Sequence, residues 1–339
     1  MTITDSLNRI YAFYPNKTSW RMREVYAVSH LRYYAAARQA LYHALLLAGL
    51  KRGDTLLLPS FICCEVLSVA ENLGIGLQFY TVDRQLQPQL PDDGVFKAIL
   101  AVNYFGFAQD LEPFRLLADK TGAVIIEDNA HGLFSRDEHG CLLGERTTLG
   151  IISQRKSVFI PDGGLLLVHK ASGIIPPLQL PPVSELPAGY RVKVVIKKLC
   201  AVTGRWPAIA LLVLVRKFRK TEGRTDVFCV SKDIEPNRLA MELEKLTHPE
   251  TEAARRRELY GEVQRAISQL GGEPVFAQLP KGAVPYCYPF YLSDAEFPLV
   301  KEKAFFQGLD IFTWPQLPLE VAADCPSHYK NLRCVRFLW

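Results

Sequence analysis

Short apolar segments alternate with longer segments of helical character through the first half of the chain, and this alternation constrains the fold more than any other feature. The apolar segments are four to six residues long, and the segments between them run for about ten. Several of the longer segments are rich in Ala and Leu, which favour helices, and end at a glycine. Such alternation is typical of an α/β fold with a parallel sheet. We predict strands at 55–58, 77–82, 98–102, 123–126 and 165–168, and helices at 35–47, 64–73 and 111–120.

The length and the second half of the chain predict more than one structural unit. A chain of 339 residues corresponds to about two domains. Residues 236–270 have helical character, with Arg255, Arg256 and Arg257 predicted on an exposed face. A strand and a helix are predicted near the end, at 287–292 and 297–308. We divide the chain into an N-terminal segment (1–28), a large α/β domain (29–185), a basic, apolar helical connector (186–228) and a smaller C-terminal domain (229–339).

The net charge of +5 is unevenly distributed along the chain. Residues 191–224 contain ten Lys or Arg residues and one acidic residue, so this segment carries +9 and the rest of the chain −4. The overall charge is therefore no argument for a nucleic-acid partner, and we predict none. Two interpretations of 191–224 stay open: helices that cover the large domain, or contact with an anionic membrane surface or a pyrophosphate-linked substrate. Its longest apolar run, 206–215, has ten residues, whereas a spanning helix needs ~20.

The eight cysteines and seven histidines form no recognisable metal or disulfide framework. No C-x-x-C pair occurs and the histidines lack metal-ligand spacing, so we predict no metal site. The first fifteen residues lack the apolar core of a signal peptide. We therefore expect a cytoplasmic protein with reduced thiols, peripheral at the membrane if the basic segment meets lipid.

Two polar residues stand where a parallel sheet places its ligand site. Asp128 follows the strand predicted at 123–126, and ligands bind beyond the carboxyl ends of such strands. His131, three residues further on, is placed to share that site. For each residue taken alone, a structural role is the commoner one: an Asp that caps a helix or closes a turn, and a His whose hydrogen bonds are satisfied.

Lys156 lies between two apolar segments, and Asp162-Gly163-Gly164 follows it. Desolvation at such a position lowers the pKa of an amine and leaves it nucleophilic, so Lys156 is a candidate for a Schiff base. The alternative is an exposed loop lysine. The chain has no P-loop, G-x-G-x-x-G, G-x-S-x-G or H-E-x-x-H motif, so those chemistries have no support.

Five short motifs occur in the order of a known family. They are the helix start at 36–39, Pro59-Ser60-Phe61, Asp128 with His131, Ser153-x-x-Lys156 and Asp162-Gly163-Gly164. In this order they resemble the DegT/DnrJ/StrS-type family of pyridoxal-phosphate sugar aminotransferases. The resemblance covers about residues 30–170 well and 230–320 more weakly, where the family's small domain is matched by Arg256-Arg257, Tyr260, Pro285-Tyr286 and Trp314-Pro315. It implies a fold-type-I transferase with a large, mostly parallel, three-layer sheet domain and a smaller C-terminal α/β domain.

The resemblance also implies roles for the three residues singled out above. Lys156 would hold the aldehyde of pyridoxal 5'-phosphate and then act as the base of the proton shift. Asp128 would pair with the pyridine nitrogen and keep it protonated. His131 occupies the place where the family usually has Gln or His, and would touch the cofactor ring or its phenolic oxygen.

The cofactor phosphate is assigned in the same way. By resemblance, Ser153 and the backbone N–H groups at the helix start, with Ala37 among them, would bind the phosphate at the positive end of the helix. Arg38 would add a charge-assisted contact.

The sequence departs from the family pattern at two places. Ala36 and Ala37 supply no hydroxyl where the family often has Ser or Thr at the phosphate helix. Cys63 stands where the family usually has an aromatic residue over the cofactor ring. The stacking ring would then come from elsewhere, from Phe61 or Phe105.

The function implied is amino transfer from an amino acid, glutamate in our expectation, to a nucleotide-linked keto sugar in polysaccharide or glycan biosynthesis. The partners are these small molecules, and the family implies a homodimer. Two alternatives stay open: another pyridoxal-phosphate reaction of dehydratase or lyase type, and a catalytically degenerate binding or scaffold protein. Lys156 favours transamination because dehydratase relatives replace that lysine with His, whereas Cys63 favours the degenerate protein.

Overall fold

A computed structural model describes residues 21–183, 190, 194–195, 235–244, 247–315 and 317–337. Its largest element is an eight-stranded sheet, ordered β1-β8-β7-β6-β5-β2-β3-β4. The strands are β1 Ser29–Tyr34, β2 Thr55–Pro59, β3 Gly76–Val82, β4 Pro88–Gln89, β5 Ala98–Val102, β6 Val124–Asn129, β7 Leu149–Ile152 and β8 Gly164–His169.

The middle of this sheet is parallel, and its edges are antiparallel. β3, β2, β5, β6 and β7 run in one direction, β4 and β8 run in the opposite direction, and β1 pairs antiparallel with β8 at the edge. All five residues of β5 are buried, as expected for a central strand that is covered on both faces. The predicted α/β class with a large, mostly parallel sheet is confirmed.

The helices of the first half lie close to their predicted positions. The helices Cys64–Leu73 and Glu112–Thr121 both end at a glycine in the left-handed conformation, Gly74 (φ 68°) and Gly122 (φ 72°), which a residue with a Cβ rarely adopts. These segments therefore stop where the sequence predicts. The helices are α1 Met22–Val25, α2 Ala37–Leu47, α3 Cys64–Leu73, α4 Glu112–Thr121 and α5 Gln154–Ser157, with 3₁₀ turns at Tyr104–Gly106 and Lys170–Ser172.

A second, four-stranded antiparallel sheet forms in the last third of the chain, ordered β11-β12-β10-β9. One continuous apolar core joins it to the first sheet. Its strands are β9 Glu273–Pro274, β10 Cys287–Tyr291, β11 Ile311–Thr313 and β12 Leu332–Arg336. The helices around it are α6 Arg238–Glu244, α7 Pro249–Gln269, α8 Phe297–Phe306, α9 Leu319–Ala322 and α10 Ser327–Asn331.

The helical character predicted for 236–270 is divided between α6 and α7, because Pro249 lies in the first turn of α7, where its missing N–H costs nothing. One prediction for this region is wrong. Arg256, predicted on an exposed face, has no exposed surface. Its guanidinium binds Glu252 and three backbone carbonyl groups, so its charge is compensated inside the protein.

Strand β1 was not predicted. It carries Arg32, whose buried guanidinium makes a bidentate ion pair with Glu235 at 2.6 and 2.8 Å. A charged residue in a strand hides the alternation of apolar residues on which strand prediction rests. The basic segment 191–224 lies outside the described residues except for residues 194 and 195. None of the helices in the described ranges combines the length and the apolar character needed to cross a bilayer.

Candidate active site

A pocket opens at the carboxyl ends of β5, β6 and β7, next to the first turn of α2. It contains about 690 Å³ of space, part of it open to solvent. All six residues predicted from the sequence line it: Ala37, Arg38, Asp128, His131, Ser153 and Lys156. The structure thus brings these residues together, and their individual roles stay predictions.

Lys156 lies on α5, the short helix that follows β7. Its Nζ atom is 3.0 Å from Nε2 of His131. Burial lowers the pKa of the Lys156 amine, and the nearby Asp128 carboxylate raises it, with burial the larger effect. Lys156 is therefore not the exposed loop lysine of the alternative interpretation.

Asp128 is part of β6 and points its carboxylate into the pocket. Its Oδ1 accepts a hydrogen bond from the N–H of Ala130 at 2.9 Å. That is a turn contact, and no helix begins at Asp128, so the helix-cap alternative does not apply. Burial raises the pKa of Asp128 above its usual value, and this outweighs the Ala130 N–H and the Lys156 amine, which both lower it. The Asp128 carboxylate has few groups that stabilise its charge, so a cationic group bound in the pocket would stabilise it.

His131 is held between two aromatic rings. The ring of Phe105 stacks on one side at 5.6 Å between centroids, and that of Tyr286 stacks on the other at 4.8 Å. The interplanar angles are 2° and 4°. Burial lowers the pKa of His131 well below its usual value, so the imidazole is neutral at physiological pH.

The start of α2 closes the pocket at its other end. Its N-cap, Ala36, supplies no side-chain cap, but the Ala36 N–H donates to Oε1 of Gln39 at 2.8 Å. A Cβ added at Gly164 would collide with the backbone of Ala36 and Ala37, so this glycine lets β8 lie against the helix start. The first turn of α2 contains no acidic side chain. Its positive end is therefore available to an anion at the pocket.

Three further polar side chains line the pocket. Ser153 is buried and precedes α5. Arg38 forms a long ion pair with Glu65, with 3.9 Å between Nη1 and Oε2. Cys63 lines the pocket as a thiol, and burial raises its pKa to about 11, so it stays protonated.

The aromatic surface of the pocket differs from the sequence prediction. Phe61 and Phe105, expected to supply a stacking ring, are fully buried and do not line the pocket. Trp314 does line it, and its ring meets His131 edge-on at 4.8 Å between centroids. The sequence offered Trp314-Pro315 only as a small-domain motif, so its place in this pocket was missed.

Arg256 supports the pocket from behind. It donates to the carbonyl oxygen of Ser157 at 2.6 Å and to those of Pro285 and Tyr286 at 3.2 and 3.3 Å. It thereby ties the helix of Lys156 to the ring that stacks on His131. Sequence reasoning missed this contact because three consecutive arginines on a helix suggested a solvated face.

The fold and the pocket, with a buried lysine amine and a carboxylate at the carboxyl edge of a mostly parallel sheet, match those expected of a fold-type-I, pyridoxal-phosphate-dependent transferase. The DegT/DnrJ/EryC1/StrS aminotransferase family model matches residues 21–171, which confirms the resemblance derived from the motifs.

Solved structures of similar proteins extend the likeness over the rest of the chain. A DegT DnrJ EryC1 StrS aminotransferase from Brucella abortus has a TM-score of 0.61 at 17% identity, covering 99% of this chain and 90% of its own. The sugar aminotransferase CalS13 from Micromonospora echinospora has a TM-score of 0.61 at 13% identity, covering 98% and 86%. NtdA from Bacillus subtilis, with bound PMP, has a TM-score of 0.58 at 13% identity, covering 99% and 73%.

The pocket fits pyridoxal phosphate. It offers an amine of lowered pKa to an aldehyde and a buried carboxylate, short of hydrogen bonds, to a ring nitrogen. It also offers a helix start that Gly164 allows β8 to approach closely, which suits a phosphate. The family match and the neighbouring structures support pyridoxal phosphate as the cofactor and an aminotransferase as the enzyme class.

Proposed function

We propose that the protein transfers an amino group from an amino acid, glutamate, to a nucleotide-linked keto sugar in polysaccharide or glycan biosynthesis. The observation that carries the proposal is the meeting of the Lys156 amine and the Asp128 carboxylate in one pocket beside the start of α2. The sugar substrate is supported by the likeness to the family and to the sugar aminotransferase from Micromonospora echinospora.

Each residue of the pocket has a task in this reaction. Pyridoxal phosphate, when bound, supplies an aldehyde for the amine and a ring that accepts an electron pair. The Nζ atom of Lys156 would remove the proton from the Cα of the amino donor and deliver it to the carbon on the other side of the amino nitrogen, a 1,3 proton shift. The Asp128 carboxylate holds a proton on the ring nitrogen. The first turn of α2 and Ser153 orient the phosphate.

The charges of the pocket support an anionic amino donor. Arg155 lines the pocket next to Lys156, and in the described ranges it has no ion-pair partner. Arg38, by contrast, already faces Glu65. A guanidinium at this position is suited to a carboxylate, which it can bind through two parallel hydrogen bonds. We propose that Arg155 binds a carboxylate of glutamate.

Substrate kinetics test this assignment. Arg155→Gln is expected to raise KM for glutamate about tenfold or more and to leave cofactor binding unchanged, because one charge-assisted contact is lost. Arg155→Lys, the matched control, keeps the charge and is expected to lose less. An unchanged KM in Arg155→Gln contradicts the role.

The reaction itself is tested with the protein saturated with pyridoxal phosphate. Glutamate is expected to yield 2-oxoglutarate in a first half-reaction, and a nucleotide-linked keto sugar is expected to restore the starting spectrum. Release of ammonia or water from the sugar without 2-oxoglutarate would favour the dehydratase or lyase alternative. The pocket has aromatic surfaces from Trp314 and His131, although Cys63 replaces the aromatic residue that the family usually has. The replacement at Cys63 therefore does not specifically support a scaffold protein.

The setting in the cell is also part of the proposal. We infer a cytoplasmic homodimer, and light scattering on the purified protein tests the dimer. The +9 charge of 191–224 supports a reversible contact with anionic lipid. Binding to anionic vesicles should then weaken as the Debye length falls from ~30 Å at 0.01 M salt to ~8 Å at 0.15 M. No vesicle binding at either salt concentration would favour the helix-cover interpretation.

A further inference from the structure

The hydrogen bonds of His131 determine which of its nitrogens carries the proton. The backbone N–H of Phe105 faces Nδ1 at 3.4 Å. An N–H group can only donate, so Nδ1 must present its lone pair. A neutral imidazole carries one proton, which this network assigns to Nε2.

The backbone of Phe105 is held firmly in this orientation. Phe105 adopts φ 57°, in the left-handed region that a bulky residue rarely occupies. Its carbonyl oxygen accepts from the N–H of Tyr286 at 2.8 Å, and its ring stacks on His131. Unfavourable backbone conformations of this kind persist where the surroundings enforce them, which is common at functional sites.

The other nitrogen of His131 faces the lysine. Nε2 lies 3.0 Å from Nζ of Lys156. If Nε2 carries the proton, it donates to Nζ, and only an uncharged amine has the lone pair to accept it. We propose that His131 is a positioning residue that holds Lys156 as the free amine by donating its Nε2–H to Nζ.

The other groups around Lys156 act in both directions. Asp128 and Glu65 favour the ammonium form, Arg155 disfavours it, and Cys63 stays a neutral thiol. The Tyr286 ring, 5.9 Å from Nζ, favours the cation weakly. Burial exceeds these effects and lowers the pKa of Lys156. Burial also keeps His131 neutral, so His131 remains a donor through one nitrogen only.

The consequence rests on the proposed function. A free amine attacks an aldehyde carbon directly, without first losing a proton to solvent. A C=N bond then forms, and the carbonyl oxygen leaves as water with the two amine protons. His131 thus prepares the lysine before the cofactor arrives, a role distinct from the contact with the cofactor ring that the resemblance implies.

The experiment follows the reactivity of Lys156 in the full chain freed of cofactor. Lysines are acetylated with acetic anhydride at a series of pH values, and peptide mass mapping gives the rate at each site. The wild-type protein is expected to show a midpoint for Lys156 at lower pH than for the exposed Lys301. A midpoint equal to that of Lys301 overturns the proposal without any variant.

Two variants separate the two tautomers. His131→Phe keeps a ring between Phe105 and Tyr286 but removes the donor, whereas His131→Gln supplies an oxygen that accepts from an ammonium group. We expect the midpoint of Lys156 to rise in His131→Phe and further in His131→Gln. The labelling rate at pH 7.5 should fall about tenfold in His131→Gln, the effect of one hydrogen bond. A midpoint that falls in His131→Phe means that His131 accepts from an ammonium group, which contradicts the proposal.

This result is independent of cofactor binding. The labelling uses cofactor-free protein, so it is obtained even if pyridoxal phosphate does not bind and the proposed function fails. Conversely, the protein could bind pyridoxal phosphate at Lys156 while Lys156 shows the same labelling midpoint as Lys301. That result would overturn only the role of His131. Thermal denaturation of both variants serves as the folding control.

Discussion

Glu127 and Asp128 are neighbours on β6, yet their surroundings are opposite. Glu127 has no exposed surface, and its carboxylate accepts from Arg146 and from Nδ2 of Asn103, each at 2.8 Å. Asp128 accepts only from the N–H of Ala130 in the described part of the chain. Successive side chains of a strand point to opposite faces, so one carboxylate reaches a polar network and the other reaches the pocket. A saturated carboxylate is structural, and an unsaturated one is available to a ligand.

The largest effect on the free energy of unfolding is expected for Glu127, the structural carboxylate. Glu127→Ala leaves Arg146, which is 7% exposed, without its main partner, and should lower the free energy of unfolding by about 3–5 kcal/mol. Urea denaturation of the cofactor-free protein measures it. Arg146→Ala is the control, and the double variant should lose less than the sum of the two. A loss below ~1 kcal/mol would mean that this ion pair is dispensable.

On the pocket side, the expected effect is on activity. Asp128→Asn cannot hold a proton on the pyridine nitrogen, so turnover should fall at least ~10²-fold, ~2.7 kcal/mol in the barrier. Asn keeps the oxygen that accepts from Ala130, so the free energy of unfolding should change by less than ~1 kcal/mol. Steady-state kinetics and urea denaturation test the two halves. Turnover near the parent rate would make Asp128 a turn residue only.

Lys156 extends the comparison of structural and pocket residues. The burial that lowers the pKa of its amine also lowers the free energy of unfolding. Burial lowers this pKa in the folded protein, so the ammonium form is less favourable there than in the unfolded chain and opposes folding at neutral pH. Lys156→Met should therefore stabilise the cofactor-free protein by about 1 kcal/mol. The gain should shrink as the pH approaches ~10.4, the unfolded pKa of lysine. Destabilisation at pH 7 by thermal denaturation would contradict this account.

Asp162, in the loop after Lys156, is expected to make the free energy of unfolding depend on pH. It accepts from the N–H of Asn237 at 3.0 Å, and burial raises its pKa to about 6. The folded protein therefore binds this proton more tightly than the unfolded chain, and stability falls as pH rises from ~4 to about 6. Asp162→Asn should raise stability above pH 6 and have little effect near pH 4. A variant that is equally stabilised at both pH values would exclude this titration as the cause.

The sequence predicts the elements whose signals are local. β5 was predicted with both boundaries because five apolar residues between polar neighbours leave little choice. β1 was missed because Arg32 is stabilised by Glu235, about two hundred positions away along the chain. Arg256 was misplaced because the carbonyl groups that bind it belong to other segments. A local sequence pattern does not show which distant residues will neutralise or hydrogen-bond a buried arginine.

The pocket shows the same limit. Asp128 and Lys156 could be predicted because each follows a buried strand of a parallel sheet, and the ends of such strands meet at one edge. Trp314 could not be placed there, since it arrives from the second sheet by tertiary packing. The contact between His131 and Lys156 likewise depends on how Phe105 and Tyr286 clamp the imidazole, which no spacing shows.

The central claim is that Lys156 carries the cofactor. The most direct measurement is borohydride reduction of the protein after incubation with pyridoxal phosphate, followed by peptide mass mapping. We predict one phosphopyridoxyl group on the peptide that contains Lys156, and none there in Lys156→Ala. A label on a different lysine, or no label on a folded protein, would contradict the claim.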